Sequence, residues 1–206
     1  MRVALVGGTG PAGRALARRL REAGYEVVIG SREEERARTV AEELGVEGAT
    51  NADAVRSADL VVLATNAEGA VDTARSLRDA IGTTPVLSVA AELRFTPQGV
   101  LATPEPTSVA ERIQAELDAP VVAGLHSLAA ANLGGDEAPD EDTLVCGDDA
   151  DAKALALQLA GSVISGRAID AGPLASARAL EGMTAVIVNV NKRYRAHAGL
   201  RVTGVP

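Results

Sequence analysis

An apolar run from Val3 to Val6 ends abruptly in Gly7-Gly8-Thr9-Gly10-Pro11-Ala12-Gly13, and a helical pattern of Arg, Ala and Leu begins at once behind it. Residues 8–13 fit G-x-G-x-x-G in the position where that spacing has a mechanism, between a strand and a helix. Gly8 permits a tight turn, Gly10 lets a pyrophosphate approach the backbone, and Gly13 lets the helix lie close on the sheet. With Pro11 and Ala12 between them, the free N–H groups and dipole of the new helix face the phosphates. The spacing predicts a dinucleotide site; the plainer alternative is an ordinary strand-to-helix turn.

The alternation continues downstream. Apolar runs at residues 25–31, 58–65 and 84–89 are separated by helical stretches at 33–44 and 69–80. Strand, helix, strand repeated in this way predicts an α/β doubly wound parallel sheet with right-handed crossovers. The strands show no polar alternation, as expected of strands covered on both faces. Residues 91–106 are rich in proline and read as a loop, either a functional cover or a connection between lobes. Helix resumes behind Ser108, an N-cap with Glu111 three residues on. Strands are expected at 120–125, 143–146 and 166–170, with an irregular Ala/Gly stretch up to Asp142 and a helix over about 150–164. A long helix over about 174–194 closes the pattern. It is apolar on more than one face, so it either completes the core or buries itself in a partner subunit, and a homodimer is the expectation.

Composition narrows the function classes. The net charge of −8 repels nucleic acid and anionic membranes, so neither is an expected partner. The first apolar run is too short to cross a membrane or to serve as a signal peptide, and the chain reads as cytoplasmic. The single cysteine, Cys146, cannot form an internal disulfide, and its neighbours Leu144 and Val145 mark it as a buried strand residue. With two histidines, His126 and His197, and no Cys/His cluster, no metal site is expected. Neither Tyr25 nor Tyr194 has the lysine that a Tyr-x-x-x-Lys carbonyl reductase needs, and no Ser/His/Asp set assembles.

The end of the second strand selects the nucleotide. An NAD site usually places Asp or Glu there to accept the ribose hydroxyls. This chain has Gly30-Ser31-Arg32 instead, with Arg36 one helical turn on. A hydroxyl and guanidinium groups bind a 2′-phosphate that a carboxylate would repel, so NADP(H) is preferred. The alternative is that Arg32 and Arg36 pair with Glu33, Glu34 and Glu35 as a solvated face.

Several stretches, in order, resemble the NADPH-dependent reductases of coenzyme F420, also called F420H2:NADP oxidoreductases. They are MRVALVGGTG at the start, GSREEE after the second strand, AVDTARSL from Ala70, VVAGLHSLAAANL around His126, VCGDD from Val145, DAGPL from Asp170, and the closing helix with Asn189. The resemblance implies a Rossmann domain for NADP over residues 1–119 and a smaller α/β domain over 120–206 that helps form a deazaflavin cleft. It implies that Thr9, Ser31 and Arg32, with Arg36 where a lysine is common, receive the 2′-phosphate. His126 and Leu128 match positions lining the deazaflavin site, and Ala130 matches one near the nicotinamide; Thr65 and Asn66 are further cofactor-binding candidates. Coenzyme F420 would be the co-substrate, with no catalytic acid or base required and His126 orienting the ring, because the cofactors carry the chemistry. Some members have Ile-Pro-Trp-Glu-His where this chain has Thr65-Asn66-Ala67-Glu68-Gly69, and Ala129 replaces an expected proline. Two other readings share the glycine loop: an NADP-dependent reductase of an imine or carbonyl compound, and a non-catalytic NADP sensor.

Overall fold

A computed structural model of the chain describes residues 1–205. The first half supplies β1 (Arg2–Val6), α1 (Pro11–Glu22), β2 (Glu26–Ser31), α2 (Glu34–Leu44), β3 (Glu47–Thr50), α3 (Asn51–Arg56), β4 (Leu60–Leu63), α4 (Ala67–Ile81) and β5 (Val86–Ser88). A hairpin of β6 (Leu93–Thr96) and β7 (Gly99–Ala102) follows, then α5 (Val109–Gln114), β8 (Val121–Gly124) and α6 (Ala130–Leu133). The chain continues through β9 (Thr143–Gly147), α7 (Ala150–Ser162), β10 (Ala168–Asp170) and α8 (Ala177–Tyr194).

The main sheet has eight strands in the order β10-β9-β8-β5-β4-β1-β2-β3. Neighbours from β3 to β8 run parallel, as the strand-helix alternation predicts; β9 then turns antiparallel to β8 and β10 follows β9 in parallel. Residues 120–206 therefore add three strands to the sheet begun by residues 1–119. Successive side chains of a strand point to opposite faces. Ala4 and Val6 pack with α4, α5 and α8 through Ala74, Ile113 and Leu180. Val3 and Leu5 pack with α1, α2 and α7 through Leu16, Val40 and Leu159. Both layers are built from aliphatic side chains, and Cys146 lies buried in β9, its thiol pushed up to about 11 by burial.

Three features depart from the sequence reading. The segment 47–56 forms β3 and α3, which were not expected. The proline-rich stretch 91–106 is largely the β6–β7 hairpin, held to α8 where Asn189 donates to the Val100 carbonyl at 2.7 Å and accepts from its N–H at 2.8 Å. The irregular stretch before Asp142 contains the single turn α6. The Ser108 cap is present as a full capping box with Glu111.

Candidate functional site

The order of strands reverses between β1 and β4, and in open α/β sheets ligands settle outside the carboxyl ends of strands at such a switch point. A cavity of about 450 Å³ opens there, lined by Gly7, Thr9 and Gly10 after β1, Ser31, Arg32 and Arg36 after β2, Asn51 after β3, and Thr65, Asn66 and Glu68 after β4.

The glycine loop divides its work differently from the expected scheme. The left-handed residue of the turn is Gly7 (φ +79°), not Gly8. Gly8 is needed for another reason: a Cβ there would sit 2.9 Å from the Leu5 carbonyl oxygen. Gly13 does permit close packing, since its Cβ would come within 2.6 Å of the Gly8 Cα. Gly10 faces open space, with a single atom 3.8 Å away. It caps α1 without any side-chain bond, Pro11 stands in the first turn, and no acidic side chain does. The first N–H groups of a helix have no partner within it, so those of Ala12 and Gly13 remain for an anion.

At the end of β2, Ser31 is buried and its oxygen accepts from the Glu33 N–H at 3.2 Å, which leaves the hydroxyl proton to donate elsewhere. Glu34 pairs with Arg38 at 2.6 Å; among the described residues Arg32 and Arg36 have no ion pair and stay exposed on the cavity wall. The neighbouring-glutamate alternative is thus absent from this structure. Asn66 holds the N-cap position of α4 but makes no cap bond with its side chain. Thr65 Oγ1 and Asn51 Oδ1 are buried without partners among the described residues. Unpartnered buried oxygens are costly unless something occupies the space beside them. These groups fit a phosphate-bearing, hydroxyl-rich ligand. Asn51 was missed in the sequence because β3, which it follows at the start of α3, is a short, half-exposed edge strand without an apolar run.

A second cluster stands at the same edge of the sheet, beyond β8. His126 follows Leu125, a buried leucine held at φ +64°, an uncommon conformation for a branched side chain. Its Nε2 lies 3.2 Å from the Ala90 carbonyl oxygen, its own carbonyl accepts from Thr184 Oγ1 at 2.9 Å, and its Nδ1 is buried without a partner among the described residues. Burial lowers the imidazole pKa to about 4 against the smaller opposing effect of the Ala90 bond. The space behind it, toward Leu144, Leu180 and Met183, is closed to water. Leu128 and Ala130 are half-buried on the turn that follows, with Ala129 capping α6. The first cavity therefore gathers Thr9, Gly10, Ser31, Arg32, Arg36, Thr65 and Asn66, while His126, Leu128 and Ala130 lie outside its lining. Neither cluster holds a tyrosine–lysine pair, and no group of His, Cys, Asp and Glu suited to a metal occurs among the described residues.

The chain and its fold have known relatives. Residues 2–92 match the family model described as NADP oxidoreductase, coenzyme F420-dependent. The chain is 36% identical to an F420-dependent NADP reductase of Methanothermobacter thermautotrophicus, over 100% of this chain and 96% of that protein. Its fold superposes with a TM-score of 0.87 and 26% identity on a crystal structure from Arthrobacter sp. FB24, provisionally named as an F420-dependent NADP reductase, covering 99% of this chain and 100% of that one. An imine reductase of Streptomyces aurantiacus shares the fold at a TM-score of 0.65 and 19% identity, with 95% of this chain and 62% of that one covered.

Proposed function

Since the chain belongs to the family of F420-dependent NADP reductases, we propose an assignment of its residues to the two cofactors of that reaction. The protein is an oxidoreductase that transfers hydride reversibly between NADP(H) and coenzyme F420. The nicotinamide and deazaflavin rings supply the hydride donor and acceptor, so the chain needs only to bind and orient them and exclude water.

In this reading residues 1–119 carry NADP and residues 120–206 complete the deazaflavin cleft. Gly8, Gly10, Pro11, Ala12 and Gly13 form the pyrophosphate cradle. Thr9, Ser31, Arg32 and Arg36 take the 2′-phosphate, the two guanidinium groups, without an ion pair among the described residues, supplying charge-assisted bonds and the Ser31 hydroxyl its remaining proton. Thr65 and Asn66 contact the dinucleotide beyond the pyrophosphate, and their orphaned or uncapped polar groups are the reason for placing them there. His126 and Leu128 line the deazaflavin site and Ala130 stands near the nicotinamide. A neutral His126 with Nε2 turned to Ala90 offers Nδ1 as an acceptor, which orients a ring through a donor on that ring and takes no proton from it.

The observation that carries the assignment is the Ser31, Arg32, Arg36 wall on the cavity of a chain related to these reductases over its full length. Its test is steady-state reduction of F420 with NADPH and, separately, NADH. A strong preference for NADPH supports it; equal use of both overturns the 2′-phosphate assignment. The imine reductase likeness is one of fold alone, and a non-catalytic sensor would give no turnover. We also place the enzyme in the cytoplasm, on its unpaired buried cysteine, and as a homodimer. The exposed Val186 and Tyr194 of α8 and Leu101 of β7 support pairing of two copies, which light scattering measures.

A further inference from the structure

The side chain of Arg19 is an unusual occupant of its place. It lies on α1, two turns beyond the glycine loop and about 12 Å from the helix start at 1.5 Å per residue. Only 7% of it is exposed. Its Nε donates to the Leu133 carbonyl at 3.0 Å, its Nη2 to the Gly135 carbonyl at 2.7 Å and to that of Glu137, and its Nη1 to the Asp136 carbonyl at 3.4 Å. Glu22 balances the charge at 3.2 Å, and Arg18 adds a bond to the Gly135 carbonyl.

These carbonyls belong to the end of α6 and the loop behind it, which a short helix leaves without partners of its own. A buried guanidinium is an expensive way to fill space, because its charge must be taken out of water. What it offers instead is a planar fork of donors in fixed geometry, able to hold several carbonyls at once. A lysine ammonium has no such plane. The Arg19 contacts run from the helix whose start forms the glycine loop to the turn that bears Ala130.

We infer that Arg19 is a positioning residue for hydride transfer. Its guanidinium sets the 130–137 turn, and with it Ala130, against the dinucleotide-binding helix, so that the deazaflavin is presented to the nicotinamide at a fixed distance. The inference rests on the proposed placement of Ala130 near the nicotinamide. Reaction rates are sensitive to displacements of this kind, because a small misplacement of the reacting groups costs far more than the contact itself.

Arg19→Lys and Arg19→Met separate this role from a purely structural one. The expected result is kcat lowered about tenfold and KM for F420 raised, with the NADPH Kd, read from NADPH fluorescence, within about twofold of wild type. Lys is expected to restore little, because the charge survives and the fork does not. Unchanged kcat and KM in a folded variant overturns the inference, as does a parallel loss of NADPH affinity, which would assign Arg19 to the nucleotide site itself. Failure of both variants to fold assigns the residue to the fold alone and also overturns it. Hydrogen exchange reports the anchor independently of turnover: amides 134–137 are expected to exchange faster in Arg19→Lys while those of α1 do not change. If wild type reduces no F420, the functional reading has failed, whereas unaltered exchange in the variant would remove the anchor itself.

Discussion

His126 faces the carbonyl oxygen of Ala90 through Nε2 at 3.2 Å, and this contact ties the end of β8 to the segment after β5. A carbonyl only accepts, so Nε2 carries the proton and Nδ1 presents its lone pair. Glutamine can keep the bond to Ala90 while removing the acceptor at Nδ1. His126→Gln is expected to raise KM for F420 about 3- to 10-fold, the worth of one hydrogen bond, and to leave the NADPH Kd unchanged. With the imidazole pKa near 4, the pH profile of kcat/KM between 6 and 8 should show no limb from this residue. A limb near pH 6.5 that vanishes in His126→Gln would contradict the assignment.

Arg32 and Arg36 stand on the cavity wall with no ion pair among the described residues. Arg32→Glu replaces a charge-assisted bond with repulsion, and the Kd for NADP is expected to rise about 10- to 100-fold while that for NAD changes little. Titration of both nucleotides checks this; equal losses would remove Arg32 from the 2′-phosphate site.

A Cβ on Gly13 would meet the Gly8 Cα at 2.6 Å, where neither backbone can give way without opening the loop. Gly13→Ala is expected to cost about 1–3 kcal/mol, in the range of overpacked sites, lowering Tm by several degrees and weakening NADPH binding together. Loss of one without the other would separate the loop from the helix contact.

Glu181 of α8, 3% exposed, accepts from the N–H groups of Val109 at 3.0 Å and Ala110 at 3.1 Å and so caps α5 from outside. Burial outweighs these bonds and the nearby Arg112, and with Glu92 also nearby the carboxyl pKa is pushed up to about 7. The native state thus holds a proton that the unfolded chain releases near pH 4.5, so this contribution to stability is full below that pH and lost as pH rises through 7. His126 works the other way: its lowered pKa makes its contribution full above pH 6.5 and lost as pH falls toward 4. The difference in Tm between Glu181→Gln and wild type isolates the first effect and should shift in favour of the variant from pH 5 to 8. A difference independent of pH would contradict it.

What the sequence disclosed was local. The glycine loop, the buried strands and the Ser31-Arg32 pair each depend on residues adjacent in the chain, and their spacing carries the physics. The edge strand β3 was hidden because its four residues are polar or small and half-exposed, and Asn51 was hidden with it. The β6–β7 hairpin was hidden by the proline and glycine around it, and the bonds that hold it to α8 come from Asn189, 89 residues on from Val100. Arg19 is, in sequence, one of four arginines of α1. Its burial comes from residues 133–137, more than a hundred positions away, and no local pattern reports that contact. The return of β8, β9 and β10 to the first sheet is long-range in the same way.

Direct hydride transfer between the two cofactors is the central claim, and isotope transfer tests it most directly. NADPH deuterated at the transferable C4 position should be incubated with the enzyme and oxidised F420, and the reduced deazaflavin analysed by mass spectrometry. The account predicts one deuterium retained on the deazaflavin ring, at the carbon that receives hydride. Oxidation of NADPH with no label in the deazaflavin, or no reduction at all despite tight NADPH binding, would contradict it.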